Sequence, residues 1–502
     1  MVEQTSSKNE SVSKPQNEPQ NEPQNMPGNV QVLILGGGPG GYSCALRAAE
    51  LGLDVLLVEP GRPGGTCLHA GCIPSKALIH AAARYSETVA SQTEPAAVLS
   101  AMGIRCSDVA LDWRATQAWK DGVIGTLAGG VEGLLAKAGV QVLCGKASML
   151  DGKRARVSLV DSTDKPREFE VQAQHVVLAV GAREVSLPGL RASEHVLYAE
   201  QALSVDTLPE HLAVVGGGYV GLELGQAFAR LGVHVTVVEA EERLLPAYPK
   251  SLVAPLIKSL TADNIQALTA TRAEAFSDGF LTVSAVDPSS ATAAQTEATR
   301  VRADKVLVAI GRKANLEGWG REQLALDLAD GFVAVDSRCE TSMSGVYAVG
   351  DVTGEPMLAH RAIAQGQVVA ECLAGRRREF SPVAIPAVCF TSPEIATVGL
   401  TAESARTAGY DALVKRFPLA ANGRALTLGS SSGFVEVVAD RADHVLLGVQ
   451  AVGEHIAELV HSFTLALEMG ARLEDVADTV HAHPTIGESF AEVSSAALGF
   501  GK

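Results

Sequence analysis

The chain has 502 residues, 47% of them hydrophobic and 20% charged, with a formal net charge of −16. That length allows two to four domains. The acidic balance argues against nucleic acid as a partner, since a phosphate backbone asks for basic patches, and no uninterrupted apolar run is long enough to span a bilayer. Eight cysteines in so long a chain do not make a disulfide scaffold. Cys44, Cys106, Cys144, Cys339, Cys372 and Cys389 are scattered and read as small buried hydrophobes. Only Cys67 and Cys72 form a tight pair.

In chain order, residues 1–29 come first. They lack apolar periodicity and repeat Gln16-Asn-Glu-Pro19, Gln20-Asn-Glu-Pro23 and Gln24-Asn-Met-Pro27, so they read as a disordered tail. The tail has no apolar h-region and no arginine before Arg47, and it carries Glu3, Glu10, Glu18 and Glu22. Neither a secretory signal nor a mitochondrial presequence is expected, which leaves the cytoplasm as the default compartment. A disulfide there is more often catalytic than structural.

Order is expected from Val30. The strand Val32–Leu35 runs into Gly36-x-Gly38-x-x-Gly41, a helix follows over Tyr42–Leu51 with Gly52 as its cap, and the strand Val55–Val58 ends in Glu59. Three glycines at this spacing put bare backbone against a pyrophosphate at the positive end of a helix, and the acid meets a ribose hydroxyl. The pattern recurs at Leu212–Val215, Gly216-x-Gly218-x-x-Gly221, a helix over Leu222–Leu231, then Val235–Val238 and Glu239. A carboxylate at Glu239 favours the free 2′-hydroxyl of NAD over the phosphate of NADP. Arg243 follows two further acids, Glu241 and Glu242. Short strands ending in glycine recur at Val176–Gly181, Val306–Gly311 and Gly345–Asp351, and from about Pro382 the chain turns to strands and long helices of a separate α+β domain.

The segment Gly64–Lys76 holds the cysteine pair. Residues five apart on an ideal helix have Cα atoms about 8–9 Å apart, whereas a disulfide wants less than about 7 Å, so Cys67 and Cys72 cannot share one regular helix. Gly71 frees the backbone between them, Pro74 suits a first helical turn, and Ser75–Arg84 continues as helix. Cys72 then lies at a positive helix end with Lys76 one turn on, which favours its thiolate. The pair beside a dinucleotide site suggests a disulfide placed against a flavin, with Cys72 contacting the flavin and Cys67 exchanging with substrate. Near the C-terminus, His483 and Glu488 have the make-up of a carboxylate-oriented general acid–base.

Taken together, Gly64–Lys76, Gly216–Glu223, Gly350-Asp351, Met357–His360 and His483–Glu488 resemble the pyridine nucleotide-disulfide oxidoreductases from about Val30 to the C-terminus. The likeness is strongest to the branch that oxidises dihydrolipoyl groups. Thr341–Val352, Ala359–Gly366 and Ala421–Arg424 are similar to the form serving bacterial branched-chain 2-oxo acid dehydrogenase complexes. The resemblance implies an α/β fold with two Rossmann-like dinucleotide-binding domains plus a C-terminal α+β dimerisation domain. It divides the chain into an FAD-binding domain (30–180), an NAD-binding domain (181–308), a central part completing the FAD domain (309–380) and an interface domain (381–502).

It also implies FAD and NAD as cofactors, no metal, and a homodimer. The partners would be the lipoyl domains and subunit-binding domain of an acyltransferase, to whose basic surface the acidic charge is suited. Cys67 matches the interchange thiol and Cys72 the thiol at the flavin. His483 with Glu488 matches an acid–base pair supplied across the dimer. Gly65, Thr66, Ala147 and Ala359 match contacts to FAD, Asp351 the acid at its ribityl chain, and Lys76 with Glu223 a pair beside it. Tyr219 and Gly311 fall near the nicotinamide and NAD. Other reductases of the family fit less well: Glu239 opposes NADPH, no cysteine follows Cys389, and the redox pair is present. A flavin-binding scaffold without catalysis is the remaining alternative. One departure stands out: the family usually has Asn after Thr-Cys-Leu, and this chain has His69, which either is a tolerated loop substitution or shifts the thiol acidities.

Overall fold

A computed structural model describes residues 28–93, 97–159, 167–286 and 299–500. The repeats of the N-terminal tail lie outside the described residues, and the first strand begins at Asn29, ahead of the expected Val32 and at the last residue of the expected tail.

Val32–Leu35 is apolar at every position because its sheet is covered on both faces. Val32 and Ile34 point into one buried layer with Cys44, Ala45 and Ala48 of the following helix. Leu33 and Leu35 point into the opposite layer with Leu56, Val176 and Leu178. The strands Gln141–Met149, Val55–Glu59, Asn29–Leu35, Glu168–Leu178 and Val346–Ala348 lie side by side in that order and run parallel. Arg154–Leu159 joins the ends of the first and fourth of them in an antiparallel meander. The chain returns to this sheet late: helix Ala359–Leu373 packs on helix Pro39–Glu50, so closely that a Cβ on Gly366 would collide with the Gly40 carbonyl.

The second fingerprint sits on a five-stranded parallel sheet, in the order Gln266–Leu268, His234–Val238, His211–Val215, Lys305–Val308, Val196–Leu197. A three-stranded antiparallel sheet, Thr271–Ser277, Phe280–Ala285 and Thr299–Arg302, is attached to it. The C-terminal part is a five-stranded antiparallel sheet from Ala387 to Gly453. Helices Val460–Glu468 and Glu488–Ala497 cover it, with Phe463 and Phe490 edge-on at 4.9 Å. Its helices are short rather than long; the longest among the described residues has 10. The scattered cysteines divide: Cys44, Cys339, Cys372 and Cys389 are buried as expected, but Cys144 is exposed and Cys106 half-buried.

Both fingerprint helices start closer to the preceding strand than any side chain allows. A Cβ on Gly41 or on Gly221 would collide with the carbonyl oxygen of Gly36 or Gly216, each of which has positive φ at the turn. Gly41→Ala should therefore destabilise the protein by about 1–3 kcal/mol through overpacking and loosen its hold on the flavin, read by thermal unfolding and by flavin retained after gel filtration.

Candidate active site

One cavity of about 1490 Å³ runs from the first fingerprint to the second. It is lined by Gly36, Gly38, Glu59, Gly65, Thr66, Cys67, Cys72, Lys76, Ala147, Asp351 and Ala359 on one side, and by Gly216, Gly218, Tyr219, Glu223, Glu239 and Gly311 on the other. Gly41 and Gly221 lie behind the wall and set the approach of helix to strand. His483 and Glu488 are not brought to the cavity by this single chain.

The site's residues fit two dinucleotides. Helix Pro39–Glu50 starts at Gly38 and helix Tyr219–Arg230 at Gly218, neither with a side-chain cap. The first-turn N–H groups are thereby left for an anion. Glu59 Oε2 accepts the Gly37 N–H at 2.6 Å, and Glu239 Oε2 the Gly217 N–H at 2.5 Å. Each acid thus braces its own glycine turn. A Cβ on Gly65 would come 2.5 Å from Gly38 Cα, so only bare backbone fits where the two loops meet. Arg243 is turned away from Glu239: its guanidinium donates to the carbonyls of Leu245, Pro246 and Tyr248.

The cysteines sit on two helices, as their spacing requires. Cys67 lies on Gly65–Ala70 and Cys72 opens Cys72–Thr93, with Gly71 breaking the path at φ −142° and ψ −109°. Both are free thiols in this structure, and the exposed surface of Cys72 is cavity wall. A hydrogen bond from Cys67, with help from the Lys76 charge, pulls the Cys72 thiol down to about 7. The same bond, together with burial, pushes Cys67 far above the usual thiol range.

Lys76 Nζ donates to Glu223 Oε2 at 2.7 Å, which joins the first fingerprint's half of the site to the second's. Burial pushes the Asp351 carboxyl up, against the pull of Arg312 and Arg361. Tyr219 opens to the cavity, yet enough protein surrounds it to push its phenol up to about 12, with the Glu223 charge adding to the effect.

His69 does not face the thiols; it donates through Nε2 to the Pro63 carbonyl at 3.1 Å. His483 Nδ1 donates to Glu488 Oε1 at 2.8 Å, Glu488 Oε2 accepts the Thr485 N–H at 2.8 Å, and the imidazole is 79% exposed. His481 bonds only the nearby Thr479 carbonyl. Sequence reasoning missed Arg361, whose buried guanidinium holds the turn bearing Asp351 through the Gly354 carbonyl at 2.7 Å. It lies inside the Ala359–Gly366 stretch that carries the resemblance, but nothing in that stretch marks this arginine as buried. Glu210, His211 and Asp304 gather at the other end of the second sheet's strands. There Asp304 Oδ2 accepts the His211 N–H at 2.8 Å and Glu210 faces Arg302 at 3.3 Å; we assign them no metal.

The comparisons with known proteins agree with this geometry. Residues 30–366 match the family model of pyridine nucleotide-disulphide oxidoreductases, and residues 385–494 match that family's dimerisation domain. The chain belongs to this family, and FAD and NAD are the cofactors of the branch it resembles. Within it, the chain is similar to the dihydrolipoyl dehydrogenase of Pseudomonas aeruginosa, at 48% identity over 93% of this chain and 97% of that protein. It is also similar to the dihydrolipoyl dehydrogenase of Geobacillus stearothermophilus, at 39% identity over 93% and 96%. The crystal structure of LpdA from Mycobacterium tuberculosis superposes with a TM-score of 0.83 at 26% identity, over 93% of this chain and 99% of that one. These likenesses set the chain in the dihydrolipoyl dehydrogenase branch of the family. No helix among the described residues is long and apolar enough to cross a membrane.

Because His69 is tied to Pro63, His69→Asn should leave the pH–rate profile on that of the unsubstituted enzyme; a displaced limb would show that the imidazole acts on the thiols.

Proposed function

We propose that the protein oxidises protein-bound dihydrolipoyl groups to lipoyl groups and reduces NAD⁺ to NADH, as a homodimer and as the dehydrogenase component of a 2-oxo acid dehydrogenase complex. The observation that carries this reading is the Cys67–Cys72 pair on two adjoining helices, beside Lys76, in a cavity walled by both fingerprints. Relatives at 48% and 39% identity named for the same activity support it. Residues 30–180 and 309–380 hold FAD, 181–308 hold NAD, and 381–502 form the interface. Exposed Val480, Met469 and Leu465 on that last part suit a contact with a second copy. The partners are the lipoyl and subunit-binding domains of an acyltransferase, in the cytoplasm, with the branched-chain type favoured by Thr341–Val352 and Ala421–Arg424.

In the oxidised enzyme the two sulfurs share a bond. A dihydrolipoyl sulfur attacks Cys67 Sγ, the Cys67–Cys72 bond breaks, and Cys72 leaves as the thiolate, the better leaving group because it is the more acidic thiol. The second dihydrolipoyl sulfur then attacks the one bound to Cys67, which closes the lipoyl disulfide and releases Cys67. His483 of the partner subunit, oriented through Nδ1 by a carboxylate, takes the thiol proton at Nε2. Lys76 stabilises the charge on Cys72. FAD, when bound, relays the electron pair from the dithiol to NAD⁺. Two electrons and two protons leave the substrate; NADH carries the pair with one proton, and the other is released. Glu59, Asp351 and the backbone at Gly65, Thr66, Ala147 and Ala359 hold FAD, while Glu239, Tyr219 and Gly311 line the NAD half.

Purified enzyme should form NADH from dihydrolipoamide and NAD⁺, and should work far less well with NADP⁺; no turnover sinks the reading. His483→Gln should slow dihydrolipoamide oxidation by about 10²–10⁴-fold. In two-electron-reduced enzyme, Cys72→Ser should abolish the thiolate-to-flavin absorption band and Cys67→Ser should keep it; the reverse result would exchange their roles. Binding to the acyltransferase core of a branched-chain complex, compared with cores of other 2-oxo acid complexes, tests the finer assignment.

A further inference from the structure

The Lys76–Glu223 pair has a third member. The Phe390 ring lies 4.6 Å from Lys76 Nζ, and the Phe390 backbone N–H donates to Glu223 Oε1 at 2.8 Å. The three residues come from three parts of the chain: helix Cys72–Thr93, helix Tyr219–Arg230, and the segment after the C-terminal sheet's edge strand Ala387–Cys389. Two residues further on, the Ser392 N–H donates to Gln226 Oε1 at 2.8 Å, and Gln226 Nε2 donates to the Ser392 carbonyl at 2.9 Å. The same helix is gripped again, one turn later. Glu223 and Gln226 are both buried, and a buried carboxylate and amide need such partners.

We propose that Phe390 is a positioning residue for the Cys72 thiolate, its ring and backbone N–H holding Lys76 and Glu223 in place, so that the C-terminal domain sets the electrostatics of the cysteine pair. A lysine ends in a mobile stem, and one carboxylate leaves its ammonium several placements. An aromatic face against the ammonium selects among them, because the ring's quadrupole attracts a cation. Cys67, Lys76 and Glu223 act on Cys72; Tyr219 faces it from the cavity wall and Tyr42 from helix Pro39–Glu50. Cys67 acts most strongly, and Lys76 is the cation among these groups, so its placement adds to how far the thiolate is favoured.

The inference rests on the reading of Cys72 as the thiol beside the flavin. The test is a pH titration of the thiolate-to-flavin absorption band in reduced holoenzyme. Phe390→Leu removes the ring and keeps the N–H; its midpoint should rise by about half a unit to one unit, roughly a three- to tenfold loss of thiolate at a given pH below the midpoint. Phe390→Tyr keeps the ring and should titrate with the unsubstituted enzyme. A Leu curve that overlays the original, or a Tyr curve displaced as far as the Leu curve, overturns the proposal. Phe390→Met, with the same expectation, replaces the Leu variant if that protein does not fold. Absence of the band in the unsubstituted enzyme overturns both this inference and the assignment of Cys72. Failure to oxidise dihydrolipoamide while the Leu midpoint still moves rejects the proposed substrate and keeps the Phe390 contact.

Discussion

A carboxylate with only 4% of its side chain exposed does not hold a charge unpaired, and Glu223 is such a group. It finds one partner in Lys76 and the other in the Phe390 N–H. Removing one partner of a buried pair costs about 3–5 kcal/mol, so this contact is a strong reason for the two dinucleotide halves and the C-terminal sheet to meet where they do. The site's chemistry follows from it. Cys67 and, with it, the Lys76 charge held there lower Cys72, and burial raises the Tyr219 phenol, with Glu223 one turn along the same helix adding to it.

Around that contact the molecule uses one device twice. A strand ends in a glycine of positive φ, the next helix begins without a side-chain cap, and the acid at the end of the second strand reaches back to the turn. The acid does two jobs at once. It satisfies a backbone N–H that would otherwise be orphaned, and under the proposed function its remaining lone pairs would meet a ribose. Helix and strand must come into backbone contact for this geometry, and glycine alone permits it at Gly41 and Gly221. Both halves therefore show the same spacing in the sequence although their sheets differ.

Much of the site was legible because its chemistry is written in short, local spacing. The fingerprints with Glu59 and Glu239, and the pair Cys67–Cys72 around Gly71, each need only a dozen or two residues to be recognised. The break of the helix at Gly71 follows from the reach of a disulfide against the rise of a helix. Less was legible where the partner is distant. Phe390 stands 167 residues from Glu223, and nothing near either of them in sequence signals the contact. The exposure of Cys144 was missed for the same reason. A cysteine's neighbours decide its burial, and this one hydrogen-bonds the Pro60 carbonyl at the surface.

By itself the sequence determined two nucleotide-binding units, the class of redox chemistry, and which cysteine begins a helix, because glycine turns, helix starts and cysteine spacing act over one or two turns of chain. Only the tertiary structure decided how unequal the two thiols are, that His69 turns to Pro63, and that Lys76, Glu223 and Phe390 converge. Charge, burial and hydrogen bonding depend on what is near in space, and in this protein the decisive neighbours come from three separate parts of the chain.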